Sequence, residues 1–106
     1  MWKYKFDEEA LKDLKKLDKS QQLILFKKLD WVIINPLPYT QGGRGIPLGN
    51  KFGINLTGYC EVKHRGLGLR AIYQIVKNEM IIKIIAVDKR DDEMVYKVAY
   101  SRIDDK

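Results

Sequence analysis

The hydrophobic periodicities of this chain predict an α+β fold in the order β-α-α-β-β-β-α. The expected architecture is an antiparallel sheet, an N-terminal helical hairpin packed on one face and a short C-terminal helix. Three observations predict it. Trp2, Tyr4 and Phe6 alternate with Lys3 and Lys5 as in a half-buried strand. Apolar residues then recur at helical spacing from Ala10 to Ile33. Finally, three β-type segments between Tyr59 and Asp88 are separated by short turns, which makes them antiparallel neighbours. At 106 residues the chain forms one domain, 1–106, with a single modest core.

Each element has a local reason. Asp7 is placed to cap the first helix, and Glu8 and Glu9 fall in its first turn, where the helix dipole favours anions. Ala10, Leu11, Leu14 and Leu17 form its apolar face, with Lys12, Asp13, Lys15 and Lys16 outside. Ser20 is the expected cap of a second helix whose face carries Leu25, Leu29, Val32 and Ile33. That helix must end before Asn35-Pro36, because the residue preceding proline is pushed out of the α region. Residues 36–58 hold all three prolines and read as a loop with one short extended piece. Strands are expected at 59–65, 69–76 and 80–88, the last nearly all apolar and therefore central. A final helix begins at Asp91 or Asp92 and packs through Met94, Val95, Val98 and Ile103.

Composition narrows the function classes. The net charge is +6, from 20 basic and 14 acidic residues, which favours a polyanionic partner. The excess is densest over residues 59–90, at +4. The single cysteine, Cys60, excludes an intramolecular disulfide and suits a small buried residue in a reducing compartment. No stretch approaches the about 18 apolar residues of a spanning helix, and MWKYKFDEEA lacks the apolar stretch expected of a signal peptide. The expected location is the cytoplasm, with no membrane contact. Gly42-Gly43-Arg44-Gly45 lacks the spacing and preceding strand of a nucleotide-binding phosphate loop. No cofactor or metal is expected.

Strand parity sorts the candidate site. Glu61, Lys63 and Arg65 share one face with Tyr59, while Cys60, Val62 and His64 share the other. The apolar set belongs toward the helices, so the charged set is expected to face solvent. Arg70, Ile72 and Gln74 share a face of the next strand, and Arg70 beside Lys63 makes that face a cationic concavity. Lys89 and Arg90 sit at the end of the apolar strand, with Tyr96 one turn into the last helix. Lys63 and Arg65 could instead be ordinary solvent-facing charges that keep an exposed sheet face soluble, and Arg90 could pair with Asp88 or Asp92. Arg70 is different: a guanidinium on an inner strand needs carboxylate or phosphate partners. His64, the sole histidine, points toward the core and is expected to be structural.

The ordered combination of GLRAIYQI, the apolar strand IIKIIAV and KRDDEMVY, preceded by FDEEALKDLKKLDKS and a Pro-Gly loop, resembles the RelE branch of the RelE/ParE toxin superfamily. The resemblance covers nearly the whole chain. It implies the toxin of a toxin–antitoxin pair, an mRNA endoribonuclease that works in the ribosomal A site without metal. Its site positions correspond to Lys63, Arg70, Arg90 and Tyr96. Glu61 departs from it, because the branch has lysine at that place. The implied partners are a cognate antitoxin, the ribosome with mRNA, and operator DNA through the antitoxin alone.

Such cleavage uses the 2′-OH as nucleophile and needs a base, charge stabilisers and an acid at the leaving oxygen. Arg70 and Arg90 suit the stabilising role, because guanidinium stays charged and grips phosphate bidentately. Lys63 is a stabiliser or a base, and Tyr96 stacks on a base or assists proton transfer. Glu61 is the general base or an ion-pair partner that keeps Lys63 protonated. Arg65, Lys89, Arg44 and Lys51 are the expected outer RNA contacts. Two rival readings stand beside this one: a ParE-like poison of DNA gyrase on the same scaffold, whose members generally lack the full Lys/Arg/Tyr set, and a basic RNA-binding module without catalysis.

Overall fold

The structure, a computed structural model, describes residues 1–89 and 91–104. β1 (Lys3–Phe6) is followed by α1 (Glu8–Lys15) and α2 (Lys19–Val32). The cap of α2 is Asp18, whose carboxylate accepts the Gln21 N–H at 2.8 Å while the Gln21 side chain accepts the Asp18 N–H. Asp18 takes the place expected for Ser20 because Gln21 stands three residues after it and closes a reciprocal capping box. Ser20 lies inside the helix and donates its hydroxyl to Asp18. As expected, α2 gives way at Ile33, ahead of Asn35-Pro36.

The segment expected to be loop contains three short strands, β2 (Ile46–Pro47), β3 (Asn50–Lys51) and β4 (Ile54–Asn55). After them come β5 (Tyr59–His64), β6 (Leu69–Val76), β7 (Ile81–Asp88) and α3 (Asp92–Asp104). The main sheet has the order β1-β7-β6-β5-β2, and β3 with β4 forms a separate hairpin. β2, β5, β6 and β7 pair antiparallel, whereas β1 runs parallel to β7. The sheet is therefore mixed. No tight turn joins β1 to β7; two α-helices and five strands lie between them in the chain, so nothing forces the pair to be antiparallel.

The sheet is covered on both faces, which parity alone did not foresee. One core joins Leu14, Leu25, Leu29, Val62, Leu69, Tyr73, Ile82 and Ile84 beneath the helical hairpin. A second joins Ile54, Leu56, Ile72, Ile85, Val95, Tyr96 and Ala99, where α3 and the β3–β4 hairpin close over the opposite face. The charged face of β5 lies under this second layer and not in open solvent. In α3, Val95 is buried as expected and Met94 is exposed.

Two polar devices fix these layers. The Tyr73 hydroxyl donates to the Pro36 carbonyl at 2.8 Å, and a Cβ on Gly45 would run into both groups. Cys60 packs beside them, and burial pushes its thiol up to about 11. At the far end of α3, Arg102 makes a forked pair with Asp13, at 2.6 and 2.9 Å, and donates to the Ile85 carbonyl at 2.7 Å. Asp13 also accepts the Val87 N–H at 3.0 Å. It was expected on the solvent side of α1; its role is to tie α1, β7 and α3 together.

Arg102→Ala leaves the Asp13 carboxylate without its fork and is expected to destabilise the fold by about 2–3 kcal/mol. Urea unfolding should show a lower midpoint with an unchanged slope; a loss within about 0.5 kcal/mol, the range of ordinary surface changes, would mean the clamp carries little.

Candidate active site

Lys63 and Arg70 are direct cross-strand partners on β5 and β6. Like charges placed opposite each other repel, and an anion is needed between them. Asp92, in the first turn of α3, is that anion. One of its oxygens, Oδ2, lies 3.1 Å from Lys63 Nζ and the other, Oδ1, lies 3.3 Å from Arg70 Nε. Glu61, two residues before Lys63 on the same strand face, approaches Lys63 Nζ at 3.3 Å. The charge cluster thus holds two cations and two carboxylates.

Burial makes this arrangement unusual. Glu61 is 1% exposed, the charged residue buried most deeply in the chain's described part. Both Glu61 oxygens, Arg70 Nε and Nη1, and Asp92 Oδ1 have no hydrogen-bond partner of good geometry among the described residues. Ion-pair distances are met at Glu61 Oε1 and between Arg70 Nε and Asp92 Oδ1, but the angles are not, so these groups are neutralised more than they are hydrogen-bonded. Burial raises the Glu61 pKa, and the nearby Asp92 charge adds to this against the pull of Lys63 and Arg70. Burial also raises Tyr96, reinforced by the Glu61 and Asp92 carboxylates. Tyr96 is a neutral phenol at any physiological pH, able to donate a proton or a hydrogen bond.

Tyr96 is 3% exposed, and the Phe52 ring lies against it, with centroids 6.1 Å apart and planes tilted by 50°. It therefore offers no free face for stacking. The cluster combines a phosphate-sized pair of cations, a carboxylate with a raised pKa and a neutral phenol. Those are the parts of a proton-transfer site built around an anion.

The family described as "ParE toxin of type II toxin-antitoxin system, parDE" matches residues 4–94. The chain belongs to the RelE/ParE toxin family. It is 35% identical over 102 residues to a putative RelE-like toxin protein of Escherichia coli, covering 96% of this chain and 97% of the other. It is 34% identical over 98 residues to the mRNA interferase toxin RelE of E. coli strain K12, covering 92% and 93%. The free state of an arginine-substituted mutant of E. coli toxin RelE superposes with a TM-score of 0.71 at 28% identity, covering 96% and 97%. RelE in the intact E. coli RelBE toxin–antitoxin complex superposes with a TM-score of 0.64 at 28% identity, covering 86% and 99%.

Against the RelE-type expectation, the structure brings Glu61, Lys63, Arg70 and Tyr96 into one cluster and adds Asp92. Arg90 lies outside the described residues. Asp92, weighed in the sequence as a partner for Arg90, engages Lys63 and Arg70. Arg65 is exposed in the β5–β6 turn, Lys89 is exposed after β7 and Lys51 is exposed on β3. Arg44 donates to the Trp31 carbonyl at 2.8 Å and lies over the Trp31 ring, which commits it to the end of α2. His64 accepts the Leu67 N–H at 3.2 Å and so shapes the β5–β6 turn. The signal for Asp92 was present in the sequence: two cations on paired strands demand an anion, and the acids at the start of α3 were the nearest supply.

Folding raises the Glu61 pKa, so the folded state binds this proton more tightly than the unfolded chain. Its effect on stability is most favourable below the ordinary glutamate range and is lost as pH rises through the folded value. Glu61→Gln should remove that slope. Urea titrations from about pH 4 to about pH 8 check this, and a variant with an undiminished slope in that window would place the titration on another group.

Proposed function

We propose that this chain is the toxin of a toxin–antitoxin pair and a metal-independent endoribonuclease that cleaves mRNA in the ribosomal A site, halting translation and growth. The observation that carries the reading is the Asp92 bridge, in which one carboxylate rests an oxygen on each of Lys63 and Arg70. A phosphodiester offers two non-bridging oxygens to the same pair of cations. The mRNA interferase names of relatives at 34% identity support the same class.

In the reaction, the scissile phosphate replaces Asp92 between Lys63 and Arg70. Glu61, its pKa raised by burial, accepts the proton of the 2′-OH. The 2′-oxygen then attacks phosphorus, and the charge on the phosphorane oxygens falls on the two cations. Tyr96 donates to the departing 5′-oxygen, leaving a 2′,3′-cyclic phosphate and a 5′-OH. Arg90 is assigned to the same charge-stabilising set from family resemblance. Arg65, Lys89 and Lys51 steer the RNA backbone; Arg44 joins them only if its contact with Trp31 gives way. The partners are a cognate antitoxin, the ribosome with its mRNA, and operator DNA through the antitoxin, all in the cytoplasm. Solved complexes of E. coli RelE with its antitoxin, in whole or as a peptide, support the first.

A second reading, a gyrase-poisoning toxin without nuclease activity, is favoured by the ParE description of the matching family and by the acidic compensation of the site. Purified protein incubated with ribosomes and a defined mRNA separates the readings. Cyclic-phosphate ends at A-site cuts are expected. Intact mRNA with gyrase-linked DNA breaks establishes the second reading, and RNA binding without a cut establishes a non-catalytic module.

Lys63→Ala and Arg70→Ala should each lower cleavage by about 100-fold or more and relieve growth arrest, with circular dichroism unchanged. Asp92→Asn removes the competing anion and should raise kcat/KM several-fold; a fall to the level of Arg70→Ala would make Asp92 part of the machinery and not a stand-in.

A further inference from the structure

We propose that Phe52 is a stacking platform for a nucleobase of the RNA strand beside the scissile phosphate, a substrate contact at the same site that rests on the nuclease reading above. Phe52 and Gly53 form the two-residue tip between β3 and β4, where Lys51 pairs with Ile54. Both tip residues have positive φ, +56° at Phe52 and +71° at Gly53, the pattern of a type I′ hairpin turn. That turn favours Asn, Asp or Gly at its first position, because a bulky side chain at positive φ is strained. Phenylalanine is therefore a poor choice for the turn.

Burial does not account for it either. The side chain is 58% exposed, so it surrenders little apolar area to the core. Its neighbours Leu48, Ile54 and Leu56 already hold the hairpin against Val95 and Ala99 of α3. A residue that strains its own turn and stays in solvent is explained by what its ring can reach. One side of that ring lies against Tyr96, at 6.1 Å, whose own ring is closed off. A Cβ built on Gly53 meets nothing within 4 Å, so the tip has space around it. Exposed Lys51 precedes the ring and supplies a cation for the phosphate next to a stacked base. An aromatic face beside cations is the common means of holding single-stranded RNA. The stacking role that the sequence offered to Tyr96 falls to Phe52.

The test uses Phe52→Asn, which creates the Asn-Gly pair preferred by the turn and should keep or raise the melting temperature. Phe52→Tyr and Phe52→Trp preserve a stacking face. The probe is a short RNA with a 2′-deoxy residue at the cleavage position and 2-aminopurine beside it, offered free and in programmed ribosomes. We expect Phe52→Asn to weaken binding by about ten- to a hundredfold and to abolish the 2-aminopurine quenching. The salt dependence of affinity should keep its slope, since no phosphate contact is lost. The tyrosine and tryptophan variants should bind as the native protein does. Native affinity and quenching in a folded Phe52→Asn would overturn the proposal, as would weaker antitoxin binding with unchanged RNA binding. If the native protein binds and quenches the probe through Phe52 but cleaves no RNA, the platform stands and the nuclease reading fails.

Discussion

Lys63 and Arg70 stand directly opposite each other on β5 and β6, and two like charges in that position repel unless an anion lies between them. Much of the molecule is arranged around that requirement. Asp92 reaches both cations only because α3 starts above this face of the sheet, and α3 can lie there because β6 and β7 supply Ile72, Ile85 and Ala86 beneath it. The Asp13–Arg102 fork then pins the other end of the helix. With two carboxylates set against two cations, Glu61 and Arg70 can be enclosed at a depth that neither would tolerate alone.

The balance of the described charges, two cations against two carboxylates, has a chemical consequence. The cations are held in place and already stripped of most of their water, so a phosphate that takes the position of Asp92 meets charges that need little reorganisation. The proton-handling groups are separated by the same burial. Burial raises the Glu61 pKa and keeps Tyr96 a neutral phenol, which in the proposed mechanism suits the first to accept a proton and the second to donate one. In the proposed mechanism, glutamate where the RelE branch has lysine replaces a cation with a base.

The order of the main elements, the end of α2 and the inner place of β7 were legible because each rests on local periodicity or on proline and turn chemistry. The cluster of Lys63, Arg70, Glu61 and Tyr96 was legible too, since strand parity and one helical turn place it. Whether its face was open could not be read from alternation. Residues 46–55 look like loop, yet 46–47 add a strand to the sheet and 50–55 fold into a hairpin that roofs it together with α3. Parity along β7 also fails near Ile85, where the pairing with β6 shifts between Ile72 and Tyr73; Val87 then rejoins the helical face. Asp13 was misread because its partners, Arg102 and Val87, are distant in sequence. The parallel pairing of β1 with β7 went unforeseen for the same reason. Phe52 left only a weak trace, a phenylalanine before glycine in a glycine-rich stretch.

In the proposed mechanism Asp92 occupies, on Lys63 and Arg70, the position of the substrate phosphate. The most direct measurement is a double-mutant cycle on kcat/KM for mRNA cleavage in programmed ribosomes, with Asp92→Asn and Arg70→Ala alone and together. Asp92→Asn is expected to raise cleavage in the native background and to have little effect once Arg70 is gone. An equal gain in both backgrounds, or a loss in the native one, would contradict it.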